Sequence, residues 1–215
     1  MMVTICCEKG GSGKSSLSQA LAVYLKIKKN ADVLLVDADP QRTTGEWAEE
    51  RAESNLPSIP CVEKTGNISA DLKDLSTRYE WVVIDCGGAD SKAMRSALSV
   101  SDAALLPFRP KRRDLRTAIK MTDIIETVQA LNPKIRVRSV ITQAPTLPSQ
   151  AKRIISAKSL LESLGLFPLT HITRNLNSWD DAEEEGSSVL EHEEDQKAGE
   201  DAESVFSEFL EGIHE

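Results

Sequence analysis

Aromatic residues are scarce in this 215-residue chain, with four phenylalanines, three tryptophans and two tyrosines. None is interleaved with the basic clusters, so no stacking platform for unpaired bases is expected, and any contact with nucleic acid should run through phosphates. Cysteine is sparse as well. Cys6, Cys7, Cys61 and Cys86 have a spacing that fits neither paired zinc ligands nor a disulfide framework. They read as small buried apolar residues; Cys86, which follows a candidate metal aspartate, is the one thiol to check. No apolar run exceeds strand length, which excludes a spanning helix. The chain passes from Met1 straight into an apolar strand, leaving no room for a secretory leader, and a cytoplasmic location is expected.

What is present has the balance of one globular α/β domain over residues 1–215, with 40% hydrophobic and 28% charged residues. The net charge of -8 is distributed unevenly. From Asp180 to the C-terminus fifteen acids face one base, Lys197, which leaves residues 1 to 179 with 25 bases and 19 acids. The body is therefore basic. The acidic C-terminal segment from about 180 is read as a solvated face that could also repel a polyanion lying beside it. The polar stretch from Glu183 to Gly199 is expected to be mobile.

Apolar runs bounded by turn residues place strands at Val3–Cys7, Val33–Asp37, Ile59–Val62, Trp81–Asp85, Ala103–Pro107, Val137–Thr142 and Phe167–Ile172. The intervals suit single helices, so repeated β-then-α order predicts a mostly parallel twisted sheet with helices on both faces. Ser149 is expected to cap a helix that carries Ile154, Ile155, Leu161 and Leu164 and stops at Gly165. A final helix carries Ala202, Val205, Phe206, Phe209, Leu210 and Ile213 on one stripe and should dock on the body.

Between the first strand and its helix the chain reads Lys9-Gly10-Gly11-Ser12-Gly13-Lys14-Ser15-Ser16. Glycines let backbone N–H groups turn inward, and the following helix N-terminus adds a partial positive charge, so the loop is built to cradle a triphosphate. Lys14 would bridge the outer phosphates and the Ser15 hydroxyl would hold magnesium. Asp37, Asp39 and Asp85 stand at the carboxyl ends of neighbouring strands, where an open α/β sheet binds its ligands.

An ordinary Walker A loop, G-x-x-x-x-G-K-S/T, has glycine where this chain has Glu8. The loop instead resembles the deviant signature K-G-G-x-G-K-S/T-S/T of the ParA and MinD family of ATPases. Val33 to Gln41 is similar to that family's V-D-x-D-P-Q motif, and Val82 to Gly88 to its Walker B strand and switch, although Cys86-Gly87-Gly88 replaces the usual threonine and prolines. Ser101 to Pro107 with Pro110, Ile172 to Asn175, and Asp181 to Gly186 resemble later landmarks. The resemblance implies a P-loop NTPase fold binding ATP and Mg²⁺. It implies that Asp37 and Asp85 reach the metal mainly through water, that Asp39 orients the attacking water, and that Gly88 offers its N–H to the γ-phosphate. Lys9 would reach the partner subunit's phosphates in an ATP-dependent homodimer, and adenine would lie near Gln143, Thr173 and Asn175.

Within the family, the first strand starts at once, so the helix-turn-helix of larger ParA proteins is expected to be absent. The acidic last helix lacks the basic membrane anchor of MinD-like proteins. The cysteine spacing argues against nitrogenase iron protein, and two tyrosines argue against a tyrosine-kinase tail. The expected role is a ParA-like ATPase that hydrolyses ATP slowly and partitions a plasmid or chromosome with a separately encoded centromere-binding protein, which would place it on the nucleoid. The alternatives are positioning of a protein cargo, or a P-loop kinase or ligase acting on a small molecule. Thirteen bases against four acids between Arg109 and Arg174 put non-specific DNA contacts on Lys111, Arg112, Arg113, Arg116, Lys152 and Arg153, with Lys120 and Lys158 as further candidates.

Overall fold

The computed structural model describes residues 1–88, 91–192 and 196–214. Among these residues seven strands form one sheet: β1 (Met2–Ile5), β2 (Val33–Ala38), β3 (Cys61–Glu63), β4 (Trp81–Cys86), β5 (Ala103–Phe108), β6 (Arg136–Ala144) and β7 (Pro168–Arg174). Their order is β3-β2-β4-β1-β5-β6-β7 and every pairing is parallel. The central strands β1, β2, β4 and β5 are buried along their whole length, which is why they read as continuous apolar runs rather than alternating ones. All seven expected strands are found, with ends that move by at most two residues.

Among the described residues eight α-helices connect and cover the sheet: α1 (Lys14–Lys28), α2 (Thr43–Glu53), α3 (Ser69–Leu75), α4 (Lys92–Leu98), α5 (Arg112–Leu131), α6 (Ala151–Ser163), α7 (Ser178–Glu183) and α8 (Gln196–His214). One face of the sheet packs against residues of α3 to α6, such as Leu72, Met94, Met121 and Leu161. The other packs against α1, α2, α7 and α8 through Leu21, Trp47, Ala182 and Phe206. The expected stripe of α8 does dock: Ala202, Val205, Phe206 and Phe209 have no exposed surface, and the ring of Phe206 meets that of Tyr24 at 5.7 Å. Each fully buried phenylalanine stabilises this contact by about 1.5–3 kcal/mol.

Three expectations need correction. Ser149 does not cap α6, because a 3₁₀ turn over Pro148–Gln150 precedes it and Gln150 holds the N-cap position without a side-chain hydrogen bond.

The Glu183 to Gly199 stretch is tied down wherever it is described; Glu193, Glu194 and Asp195 lie outside the described residues. Arg51 of α2, with no exposed surface, donates to both carboxylate oxygens of Glu191 at 2.9 and 2.7 Å, to the Gly186 carbonyl at 2.8 Å and to the Pro57 carbonyl at 2.8 Å. Gly186 passes so close to α2 that a Cβ on it would lie 2.2 Å from the Arg51 nitrogen.

The acidic α8 also does not lie beside the basic region. It packs on α1 and β7, on the face opposite α5 and α6, and spends its carboxylates there. Asp201 accepts from the backbone and side chain of Arg174, and Glu208 accepts from the N–H groups of Thr170 and His171. These carboxylates cover the donors of edge strand β7, which would otherwise be open to pairing.

Candidate functional site

β1 delivers the chain into the Lys9–Ser16 loop between β4 and β5, at the carboxyl edge of the sheet. Gly11 and Gly13 have φ of 69° and 83°, the left-handed region that turns successive N–H groups to one side and that a side chain would strain. The loop is pinned from behind. Thr142 donates to the Ser12 carbonyl at 2.8 Å, Gln143 to the Gly11 carbonyl at 3.1 Å, and Ser12 and Cys7 share a hydrogen bond of 2.8 Å. Lys14 is buried inside the loop with its Nζ 3.3 Å from the Lys9 carbonyl, while Lys9 and Gly10 are exposed.

Asp85, next to last in β4, has no exposed surface. Its Oδ2 accepts from Thr44 at 2.7 Å, and Ser15 also donates to the carboxylate, yet Oδ1 has no partner. Burial pushes this carboxyl up to about 6, against the pull of Thr44 and Ser15. A buried carboxylate oxygen without a donor, next to a serine hydroxyl at a phosphate cradle, fits the outer shell of a divalent cation and its water.

Asp37 is its register neighbour on β2. Oδ1 accepts from the Asp39 N–H at 2.9 Å and Oδ2 from the Gly45 N–H at 2.7 Å, so the carboxylate caps α2. Burial raises it, and those backbone donors pull the other way. Asp37 thus holds the start of the helix whose Thr44 touches Asp85.

Asp39 accepts from the Gln41 N–H at 3.0 Å, and its carboxyl faces Gly87, where a Cβ would lie 3.2 Å from it. Gly88 approaches the loop more closely, since a Cβ there would be 2.9 Å from the Gly10 nitrogen. The segment after β4 thus rests directly on the cradle. Ala89 and Asp90 lie outside the described residues. Cys86 is no reactive thiol, because complete burial drives it well above its ordinary value.

A cleft of about 190 Å³ opens beside the cradle, lined by Gly13, Ser16, Gln143, Thr173, Asn175 and Trp179 among others. The structure therefore brings together the base-side residues expected from sequence. Sequence reasoning missed Trp179 and Asp180, which also line the cleft, as well as Thr44 and Thr142. The threonines were legible only as polar residues near a motif; what they touch depends on packing.

On the opposite face Lys111, Arg112, Arg113 and Arg116 project from the start of α5 and Lys152 and Arg153 from α6, all exposed. Arg112, Arg116, Lys152 and Arg153 rim one groove. Of the further candidates, Lys120 pairs with Glu8 at 2.7 Å and Lys158 donates to the Thr170 carbonyl. Among the described residues no helix is long and apolar enough to cross a membrane.

A parallel sheet ending in a glycine cradle with a buried lysine and a strand-end aspartate defines a P-loop nucleotide-binding protein. Residues 3–185 match the CobQ/CobB/MinD/ParA nucleotide-binding domain, and the chain belongs to this family, as a ParA/MinD-type nucleotide-binding ATPase. It is 30% identical over 193 residues to the "Maintenance of carboxysome distribution protein A" of Gloeobacter kilaueensis, covering 88% of this chain and 84% of that one. It is 29% identical over 165 residues to "Protein ParA" of Rhizobium radiobacter, covering 75% and 73%. Among solved structures, the ATP complex of a Cyanothece McdA variant superposes with a TM-score of 0.77 at 17% identity, covering 99% of this chain and 96% of that one.

Proposed function

We propose that the chain is a two-subunit switch that binds ATP and Mg²⁺, pairs through the nucleotide, binds DNA without sequence preference while paired, and resets by slow hydrolysis. One observation carries this reading. The cradle already holds an internal lysine, Lys14, while a second, Lys9, stands exposed at its mouth, placed for a phosphate outside its own subunit in the manner of a residue supplied in trans. Lys14 binds the outer phosphates, and Gly88, packed so closely on Gly10 that a Cβ would meet its nitrogen at 2.9 Å, offers its N–H to the terminal phosphate. Asp39 orients water for attack. A magnesium ion held by Ser15 and Asp85 would supply charge neutralisation between the outer phosphate oxygens.

The exposed bases of α5 and α6 serve as a phosphate-binding face, and pairing two copies doubles it, so the nucleotide state sets DNA affinity. The acidic α8 on the opposite face leaves that surface clear. In this reading the protein works on the nucleoid in the cytoplasm, without membrane, and partitions a plasmid or chromosome with a separately encoded centromere-binding protein. A second reading keeps the switch and changes the cargo to a protein assembly; it is favoured by the similarity to proteins named for carboxysome distribution. A ribbon-helix-helix gene next to this one would favour plasmid cargo.

Gel shifts on unrelated duplexes over a salt series test the DNA step. Binding with ATP is expected to exceed binding with ADP and to fall steeply with salt, and Arg112→Glu with Arg113→Glu should abolish it. Equal binding in ATP and ADP would contradict the switch. No binding at low salt in any state moves the reading to a protein cargo, and a phosphorylated small molecule as product moves it to a kinase.

A further inference from the structure

The carboxyl end of β5 carries an arginine that the site described above does not use. Buried Phe108 closes the strand, β5 is hydrogen-bonded to β1, and Arg109 therefore emerges one strand away from the phosphate cradle. Its side chain is only 18% exposed. Nε donates to Asp114 in the first turn of α5, whose carboxylate is 5% exposed. The far end of the guanidinium lies over the loop, with Nη1 3.5 Å from where a Cβ on Gly11 would stand. Asp114 is also close enough to Cys7 to act on its thiol, and Cys7 is bonded to Ser12, so the pair is built into the wall of the cradle.

An ion pair this buried contributes little to stability, since an apolar pair of the same volume commonly does as well. Its geometry does something else. Asp114 engages the Nε edge of a rigid five-donor fork and so sets where the terminal amino groups point. Nη1 lies at Gly11, in the turn of the loop that precedes the start of α1, and it is at the start of that helix that the inner phosphates of a bound nucleotide would rest. A permanently charged planar fork at that place suits the oxygens of a terminal phosphate.

We propose that Arg109 is a phosphate-contacting residue of this ATPase, aimed by Asp114 across Gly11 at the γ-phosphate of the nucleotide bound in the same chain. The assignment rests on the ATP reading above and adds a cation in cis to Lys14 and to the partner's Lys9. Its charge acts on the equatorial oxygens, where negative charge is held during transfer. Because ADP lacks that phosphate, Arg109 separates the two nucleotides.

Arg109→Ala, Arg109→Lys and Asp114→Asn in the full chain test this, with affinities for a non-hydrolysable ATP analogue and for ADP, kcat, KM and thermal midpoint measured for each. Arg109→Ala is expected to weaken the analogue by about tenfold or more and ADP by less than about threefold, where tenfold is about 1.4 kcal/mol. Its kcat should fall about 10²–10³-fold, as for the loss of one donor to a developing charge. Arg109→Lys should recover part of the analogue affinity, and Asp114→Asn should lower kcat in the same direction with a smaller loss of affinity. Equal losses for analogue and ADP, no loss for either, or a lower thermal midpoint with the ATP-to-ADP affinity ratio unchanged would make Arg109 a prop of its loop and overturn the assignment. A wild-type chain that binds no ATP analogue overturns the nucleotide reading itself, and Arg109 with it.

Discussion

Thr44 shows how much of the site depends on single side chains outside any motif. Its hydroxyl donates to Asp85 at 2.7 Å and receives Gln19 Nε2 at 3.4 Å, so it joins the helix after β2 to the carboxylate next to last in β4. Thr44→Val keeps the volume and leaves Asp85 Oδ2 without this donor, costing about 1–3 kcal/mol for a buried carboxylate. The expected outcome is a lower thermal midpoint and weaker Mg²⁺-dependent nucleotide binding, both read by scanning calorimetry with and without Mg²⁺-ATP. Unchanged Mg²⁺ dependence would remove Thr44 from the site. Lys14→Ala should abolish binding of a fluorescent ATP analogue, because no other lysine lies inside the loop; wild-type affinity would sink the assignment. Lys9, Lys14, Ser15, Asp37, Asp39 and Asp85 were legible because strand, turn and spacing are local properties. Thr44, Thr142 and Arg109 were not, since Thr44 acts on Asp85, 41 positions away, Thr142 on Ser12, 130 positions away, and Arg109 lies over a loop that follows a different strand.

At the scale of elements, α8 is held by its carboxylates as well as by its apolar stripe. Burial acts to raise Glu208, but the N–H groups of His171 and Thr170 and the His171 ring outweigh it and hold the carboxyl below its ordinary 4.5. A carboxylate lowered in the folded state stabilises fully above the unfolded value and loses that stability as pH falls through the folded one. Docking of α8 should therefore be intact above about pH 5 and weaken below pH 4.5. Glu208→Gln should cost about 1–2 kcal/mol at pH 7 and flatten the acid limb of a stability-against-pH curve; an unchanged limb would show that Glu208 is not the group responsible. On α2, Arg51→Met removes the partner of Glu191 and should destabilise by about 3–5 kcal/mol, as the loss of one member of a buried pair does. Cleavage after Glu191 by a glutamate-specific protease would report the release of that segment, and resistance equal to wild type would contradict the tether. The strands and the stripe of α8 could be read from periodicity. The tether could not, because Arg51 and Glu191 are 140 residues apart and each looks like an ordinary surface charge until the chain is folded.

On the whole-molecule scale, the sheet separates two surfaces that the net charge of -8 merges. The bases of α5 and α6 lie on one face and the acids of α8 on the other, so the molecule is polarised in a way a linear charge map suggested only in part. That map set acid against base correctly along the chain, and it missed that the acids are engaged by Arg51, Arg174 and the edge of β7. Two copies joined at their cradles would present two basic faces together. The most direct test of the account is the mass of the particle by light scattering, for the wild type and for Lys9→Ala, with Mg²⁺-ATP and with Mg²⁺-ADP. The account predicts a dimer for the wild type in ATP alone, and a monomer for Lys9→Ala in every state although it still binds ATP. ATP-dependent dimers of Lys9→Ala with normal turnover, or a wild type whose mass ignores the nucleotide, would contradict it.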